Sequence, residues 1–377
     1  MPLFADTDSL VDSLARNLLD EPCVAFDTES DSMYHFREKV CLIQIASDAT
    51  GTILVDPLSG VDPGPLGAVM ASPSVTKIFH GADFDITSMK RDFGWSFSNV
   101  FDTALAARFL GWPSVGLAAV ILREFGHEIP KGPQTADWSV RPLPANMLEY
   151  AAGDVNYLVE IYRRMVRYLQ EAGRLRWVIE ESAAIADIHA ASPLPAPADF
   201  LKATGACDLD GSDLAILKRL FAAREAVALK LDRPRFKVIG DDALVRMAIS
   251  RPRSPAALER IRAVPRPVAS HPEPWLAAIR DGLSDPPVEI PRLRRRPPFD
   301  PRVAESIDRL KKWRAGASGR LGLDPGLLLP QRLIVAIAAA FPASIAELGQ
   351  VPGVHAWRCD EFGAELLECI SHSGHAG

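Results

Sequence analysis

Val24-Ala25-Phe26-Asp27-Thr28-Glu29-Ser30-Asp31 decides the fold of this chain. Apolar residues lead into two acids, and a second apolar run, Val40-Cys41-Leu42-Ile43-Gln44-Ile45-Ala46, follows. Both stretches read as buried strands. Residues two apart on a strand share a face, so Asp27 and Glu29 point the same way from the end of a buried strand. Like charges are costly to bury side by side unless something neutralises them. A divalent cation does this, and oxygen-only ligands favour magnesium or manganese. Asp-x-Glu is common at exposed strand ends, so the pair needs further acids to mark a metal site.

Two more segments supply them. Lys77-Ile78-Phe79-His80-Gly81-Ala82-Asp83-Phe84-Asp85-Ile86 reads as a strand, a glycine turn and a helix start. Asp83 and Asp85 are two apart, hence about 200° apart around a helix, and only one can face the first pair. Asp83 also fits a helix N-cap. Farther on, Leu148, Ala151, Val155, Leu158 and Tyr162 recur at helical spacing within Met147–Tyr162. Tyr150 and Asp154 are four apart and stack on one face of that helix. An ordinary amphipathic helix with a tyrosine at its core edge shows the same pattern, so this segment too is indecisive alone.

Taken together, the three segments resemble the motifs of the DEDD exonucleases in their tyrosine-bearing (DEDDy) subgroup, and most closely the ribonuclease D family. Phe26-Asp27-Thr28-Glu29 matches the first motif, continued by Leu42-Ile43-Gln44-Ile45-Ala46. His80-Gly81-Ala82 with Asp85-Ile86 resembles the second and selects Asp85 over Asp83. Tyr150 with Asp154 matches the third. Upstream, Gln134-Thr135-Ala136-Asp137-Trp138-Ser139-Val140-Arg141-Pro142-Leu143 resembles the family's Gln-x-x-Asp-Trp-x-x-Arg-Pro-Leu signature. One departure is Ser88, where some relatives carry a tryptophan near the terminal base.

The resemblance implies an α/β ribonuclease H-like exonuclease domain, a mixed sheet with helices on both faces. It also implies two divalent cations, Mg²⁺ or Mn²⁺, clamping the attacking and leaving oxygens of a phosphodiester. Asp27, Glu29, Asp85 and Asp154 are the expected metal ligands and, with Tyr150, the expected catalytic set. Asp27 is expected to bridge the ions and Tyr150 to orient the attacking water; an ordinary phenol pKa near 10 argues against a simple tyrosinate base. His80, Lys131, Gln134, Trp138 and Arg141 are candidate substrate contacts. The expected activity is 3′–5′ exoribonuclease trimming, with tRNA precursors as substrate and nucleoside 5′-monophosphates as products. The alternatives are a DNA 3′–5′ exonuclease and a catalytically silent RNA-binding scaffold; the latter has no reason to keep buried like charges.

Composition is compatible with such an enzyme. At 377 residues, with 48% hydrophobic, the chain can build more than one core. It has no apolar run long enough for a membrane span and no basic N-terminal leader pattern. Five cysteines form neither paired zinc spacing nor a disulfide framework, so a cytoplasmic protein is expected. His372 and His375 read as a polar tail. Charge divides unevenly: residues 1–205 carry 16 Lys+Arg against 27 Asp+Glu, and residues 206–377 carry 26 against 21. A basic second half offsets an acidic first half that would otherwise repel RNA.

The expected boundaries are 1–185 for the exonuclease domain, 186–209 for a Pro/Ala-rich linker, 210–286 for a first helical bundle, 287–299 for a basic Pro/Arg linker and 300–372 for a second bundle. The bundles form an internal repeat at an offset of 90 residues: Arg224 pairs with Arg314, Ala248 with Ala338, and Pro252-x-Ser254 with Pro342-x-Ser344. Ser344 to Glu347 fits a capping box. The first copy, through Leu220–Glu225 and Arg233–Ile239, resembles the helicase-and-RNase-D C-terminal (HRDC) domain, and the second is a weaker match. Arg233 and Lys237 are further candidate RNA contacts, with Phe236 expected in the core. The arginines of Pro291–Pro298 fit either a phosphate grip or a solvated linker. On this view, removing residues 206–377 weakens RNA binding and leaves the active site intact.

Overall fold

The computed structural model describes residues 3–129, 132–189, 198–289 and 300–371. Its N-terminal strands are β1 (Leu3–Ala5), β2 (Cys23–Ser30), β3 (Val40–Ser47), β4 (Gly51–Val55), β5 (Thr76–Phe79) and β6 (Val100–Asp102). They form one sheet in the order β1-β4-β3-β2-β5-β6. β3 runs antiparallel to β2 and β4, while the β1/β4, β2/β5 and β5/β6 pairs are parallel. This is the mixed sheet that the motifs implied. Every residue of β3 is buried, as an apolar run at the centre of a covered sheet should be.

Helices cover both faces: α1 (Asp8–Leu19), α2 (Leu66–Ala71), α3 (Asp83–Phe93), α4 (Thr103–Phe109), α5 (Leu117–Phe125), α6 (Ala145–Asn156), α7 (Leu158–Glu171) and α8 (Leu175–Ala186). Strand alternation sorts β2 between them. Val24 and Phe26 join Val11, Leu14, Met70 and Ile86 in one core, whereas Ala25 joins Val155, Leu158 and Ile161 in another. The single helix read over Met147–Tyr162 is in fact two, since the chain turns at Tyr157 between α6 and α7.

The C-terminal half is all helical among the described residues. α9 (Gly211–Leu231), α10 (Arg235–Val238), α11 (Asp241–Ser250), α12 (Pro255–Glu259), α13 (Arg266–Ser270) and α14 (Glu273–Ser284) build the first bundle. α15 (Pro301–Leu321), α16 (Pro325–Leu328), α17 (Gln331–Ala340), α18 (Ile345–Gly349) and α19 (Ala356–Ser371) build the second. The boundaries of α9 to α12 recur 90 residues later in α15 to α18. One internal bond recurs too: Arg224 Nη1 donates to the Ile239 carbonyl at 3.4 Å, and Arg314 Nη1 to that of Leu329 at 3.0 Å. Ser254 and Ser344 cap equivalent helices. The Ser344 hydroxyl accepts from the Glu347 N–H at 3.2 Å, while the Glu347 carboxylate reaches back to the N–H of Ala343, one residue before the cap.

The copies attach to the sheet domain differently. The first keeps its own core and grips residues 34–36. His35 Nδ1 lies 2.7 Å from Asp232, the Phe36 N–H donates to the same carboxylate at 3.1 Å, and Lys237 lies over the Tyr34 ring. The second shares a continuous core with α4, α7 and α8. Trp357 stacks on Trp177 at 4.7 Å and meets Phe109 edge-on. Arg358, 2% exposed, donates to Glu181 and to the carbonyls of Leu327 and Leu328. The second bundle thus completes the core of the catalytic unit, which counts against the expectation that removing residues 206–377 leaves the active site intact.

Candidate active site

Asp27 and Glu29 project from the carboxyl end of β2, and Asp154 meets them from α6, which crosses above β2, β3 and β4. One carboxylate oxygen from each of the three lies within 4.8 Å of the others. Asp85, in the first turn of α3, approaches from the other side. Thr28, between the two strand acids and alternating to the opposite face, donates its hydroxyl to Asp85 Oδ1 at 2.5 Å. The turn before α3 depends on Gly81, whose φ of 85° favours a residue without a Cβ. The Gly81 and Ala82 N–H groups both bond Asp102, so Asp102 anchors this turn. Asp83 is exposed and does not cap the helix, whose N-cap position is Ala82.

The acids line a pocket of about 950 Å³ that, among the described residues, contains no lysine or arginine. With no cation to offset them, burial and mutual repulsion raise their pKa values. Desolvation pushes Glu29 up to about 9, with Asp154 and Asp85 adding to it. Desolvation pushes Asp85 up to about 7, against the lowering effect of the Thr28 bond. Asp154 rises to about 6, again by desolvation, while its bond from Tyr150 pulls the other way. Asp27, half-buried on the pocket wall, is raised well above its usual range by desolvation and by Asp85, Glu29 and Asp154. Hard oxygen donors crowded without a counter-charge are the chemistry a divalent cation fits.

A pH dependence follows. A carboxyl group whose folded pKa lies above its unfolded value binds more protons when folded, so stability falls as pH rises through that interval. The interval runs from the ordinary carboxylate range, near 4, to about 9 for Glu29. In chelator, the melting temperature should therefore drop between pH 5 and pH 9 by roughly 5 °C or more. Glu29→Gln should flatten the slope; an equally steep slope in that variant would assign the drop to other groups.

Tyr150 bonds Asp154 and Gln134, and desolvation raises its pKa, so it is a neutral phenol. Gly132 lies so close to this ring that a Cβ there would fall 1.6 Å from Cδ2. His80 lines the pocket and is held through Nδ1 to Thr103 at 2.9 Å; burial lowers its pKa. Gln134 lines the pocket as well.

Two candidate substrate contacts are corrected. Trp138 is fully buried against Leu42, Leu54, Met147 and Ala151, out of reach of a substrate. Arg141 spends its donors inside the protein: Nε and Nη2 form a fork on Asp56 at 2.7 Å, Nη1 serves the carbonyls of Trp138 and Val140, and Nη2 also serves that of Cys41. Both residues shape the loop that carries Gln134. Lys131 and most of the arginine-rich linker, like His372 and His375, lie outside the described residues. Ser88 is buried and does not line the pocket. Arg233 and Lys237 are exposed on the first bundle and do not line the acid pocket. Phe236, expected in the core, is 56% exposed between them because its helix docks through its neighbours: Lys237 lies over Tyr34, and Arg235 over Phe36 at 4.9 Å. Thr28 and Asp102 escaped notice in the sequence because neither carries charge patterning of its own; their roles come from partners 57 and 20 to 21 residues away.

A 3′–5′ exonuclease family model matches residues 3–170, and an HRDC domain model matches twice, at 213–279 and 304–370. Ribonuclease D of Jannaschia sp. is 30% identical over 375 residues, spanning 97% of this chain and 94% of that protein. Ribonuclease D of Bartonella henselae is 29% identical over 374 residues, spanning 98% and 90%. The chain belongs to the ribonuclease D family. It is accordingly a 3′–5′ exoribonuclease, a phosphodiester hydrolase acting on RNA, and the exonuclease family is metal-dependent. Among solved structures, the catalytic core of RRP6 from Trypanosoma brucei matches with a TM-score of 0.64 at 29% identity, over 76% of this chain and 81% of that one. Escherichia coli RNase D covers 100% of both chains with a TM-score of 0.74; at 24% identity this likeness speaks to the shared ribonuclease D fold, exonuclease sheet and helical bundles together. No helix among the described residues is long and apolar enough to cross a membrane.

Proposed function

We propose that this enzyme trims 3′ extensions from tRNA precursors in the cytoplasm, releasing nucleoside 5′-monophosphates by two-metal hydrolysis. The observation that carries the reading is the Asp27, Glu29 and Asp154 cluster, three acid oxygens within 4.8 Å in a pocket with no described cation. Two divalent cations, Mg²⁺ or Mn²⁺, when bound supply the charge that clamps the attacking and leaving oxygens. Asp27, Glu29 and Asp154 would hold one, and Asp27 with Asp85 would hold the other. Tyr150, neutral and fixed by Asp154 and Gln134, orients the attacking water through its hydroxyl. His80 and Gln134 contact the terminal nucleotide from the pocket wall. We assign cleavage to residues 1–185, and RNA grip to the bundles at 210–286, through Arg233 and Lys237, and at 300–372.

The test is a time course on a 3′-extended tRNA precursor labelled at its 5′ end, beside a matched single-stranded DNA. Stepwise 3′ shortening of the RNA in Mg²⁺ or Mn²⁺, absent in EDTA, is expected. Equal digestion of the DNA would remove the RNA assignment, since contact with a 2′-hydroxyl is what distinguishes the two. Tyr150→Phe should lower kcat by about 10²-fold or more while leaving Mn²⁺ affinity unchanged. A Tyr150→Phe enzyme with full kcat would remove the water-orienting role.

A further inference from the structure

Gln44 is fully buried in the centre of β3, yet neither its amide nitrogen nor its amide oxygen has a hydrogen-bond partner among the described residues. A buried amide left in this state costs about 1–3 kcal/mol for each unsatisfied group, so such a residue is not kept for packing alone. Its position gives the reason. In the β2/β3 register Gln44 stands directly opposite Asp27, and Leu42 opposite Glu29. Directly opposed residues share a face of the sheet, with Cβ atoms about 4.5–5.5 Å apart. Gln44 therefore lies on the same face as the two acids, and that face is covered by α6, the helix that brings Tyr150 and Asp154. The neighbours Leu42 and Leu54 on this face are apolar and fully buried and offer an amide nothing.

We infer that Gln44 is a positioning residue for the metal site, its amide N–H donating to the Asp27 carboxylate when that group is ionised and holding a cation. Asp27 is the acid with most need of such a donor. It stands among Glu29, Asp85 and Asp154, and a carboxylate shared between two cations must hold one orientation. A neutral amide can donate to it without adding charge or competing as a ligand. Partners of this kind, one bond removed from the ion, typically change metal affinity by about 10–100-fold when removed.

The inference rests on the two-metal reading and is tested apart from activity. Mn²⁺ binding by full-length protein is measured by titration calorimetry, and melting is followed in EDTA, for wild type, Gln44→Met, Asp27→Asn and the double variant. Gln44→Met keeps a similar volume and removes both polar atoms. The expected result is weaker Mn²⁺ binding by roughly tenfold or more, with a melting temperature equal to or above that of wild type. In the Asp27→Asn background the Gln44 substitution should have no further effect on Mn²⁺. Unchanged affinity in Gln44→Met overturns the inference, and so does an effect that persists undiminished in the Asp27→Asn background. If Gln44→Met fails to fold, Gln44→Leu is read by the same criteria; failure of both shows that the amide serves the fold and overturns the inference. Wild type that binds no Mn²⁺ would instead remove the metal reading beneath it.

Discussion

Asp27→Asn should lower the rate of RNA 3′ trimming by about 10³-fold or more while raising the melting temperature of the chelated protein. The first effect follows from position. Asp27 is the acid that feels the charges of Glu29, Asp85 and Asp154 together, and the substitution removes the ligand expected to serve both cations. Losing several kcal/mol of transition-state stabilisation corresponds to this many decades of rate. The second effect has the opposite sign because the same carboxyl group is desolvated and faces Glu29, Asp85 and Asp154. An amide of the same shape carries no charge to bury, so its advantage should grow with pH as wild-type Asp27 is forced to ionise. Activity on 5′-labelled RNA and melting in EDTA at pH 6 and pH 8.5 measure both. A variant that is inactive but also less stable at both pH values would show that Asp27 is needed for the fold.

Truncation after residue 205 should abolish cooperative folding of the exonuclease domain, and a chain ending at residue 289 should fare little better. The second bundle supplies Trp357, fully buried between Phe109, Trp177 and Phe362, and Arg358, whose guanidinium satisfies Glu181 and two carbonyls. Removing it bares the Phe109 and Trp177 rings. It also strands Arg174, which bridges the carbonyls of Phe109 and Leu321. In the full-length chain, Trp357→Ala alone should cost about 3–5 kcal/mol, the usual cost of deleting a large buried aromatic. Chemical denaturation followed by circular dichroism reads each case. A 1–205 fragment that melts cooperatively at the full-length temperature would show that the shared core is dispensable.

Much of the site could be read from the chain because strand and helix periodicities are local. Spacing alone put Asp27 with Glu29, and Tyr150 with Asp154, on common faces. The choice of Asp85 over Asp83 needed the motif likeness, and the structure places Asp83 in solvent and Asp85 against Thr28. Trp138 and Arg141 were misjudged for one reason: an aromatic or a cation beside a catalytic motif reads as a substrate contact until its partner is known. Here the partner is Asp56, 85 residues upstream of Arg141. Phe236 went the other way, since an apolar residue is expected inside unless its helix is turned outward by what flanks it.

The sequence by itself determined the element types, the repeat of 90 residues and the pairs, Asp27 with Glu29 and Tyr150 with Asp154, that share a face, because each depends on neighbours a few residues apart or on a copied pattern. Only the tertiary structure decided that Gln44 lies opposite Asp27, that His35 joins Asp232, and that the second bundle shares the catalytic core while the first keeps its own. Register, docking and burial are set by contacts between residues far apart in the chain. Such contacts are stabilised by the apolar area they remove from water, and no local pattern records which surfaces will meet.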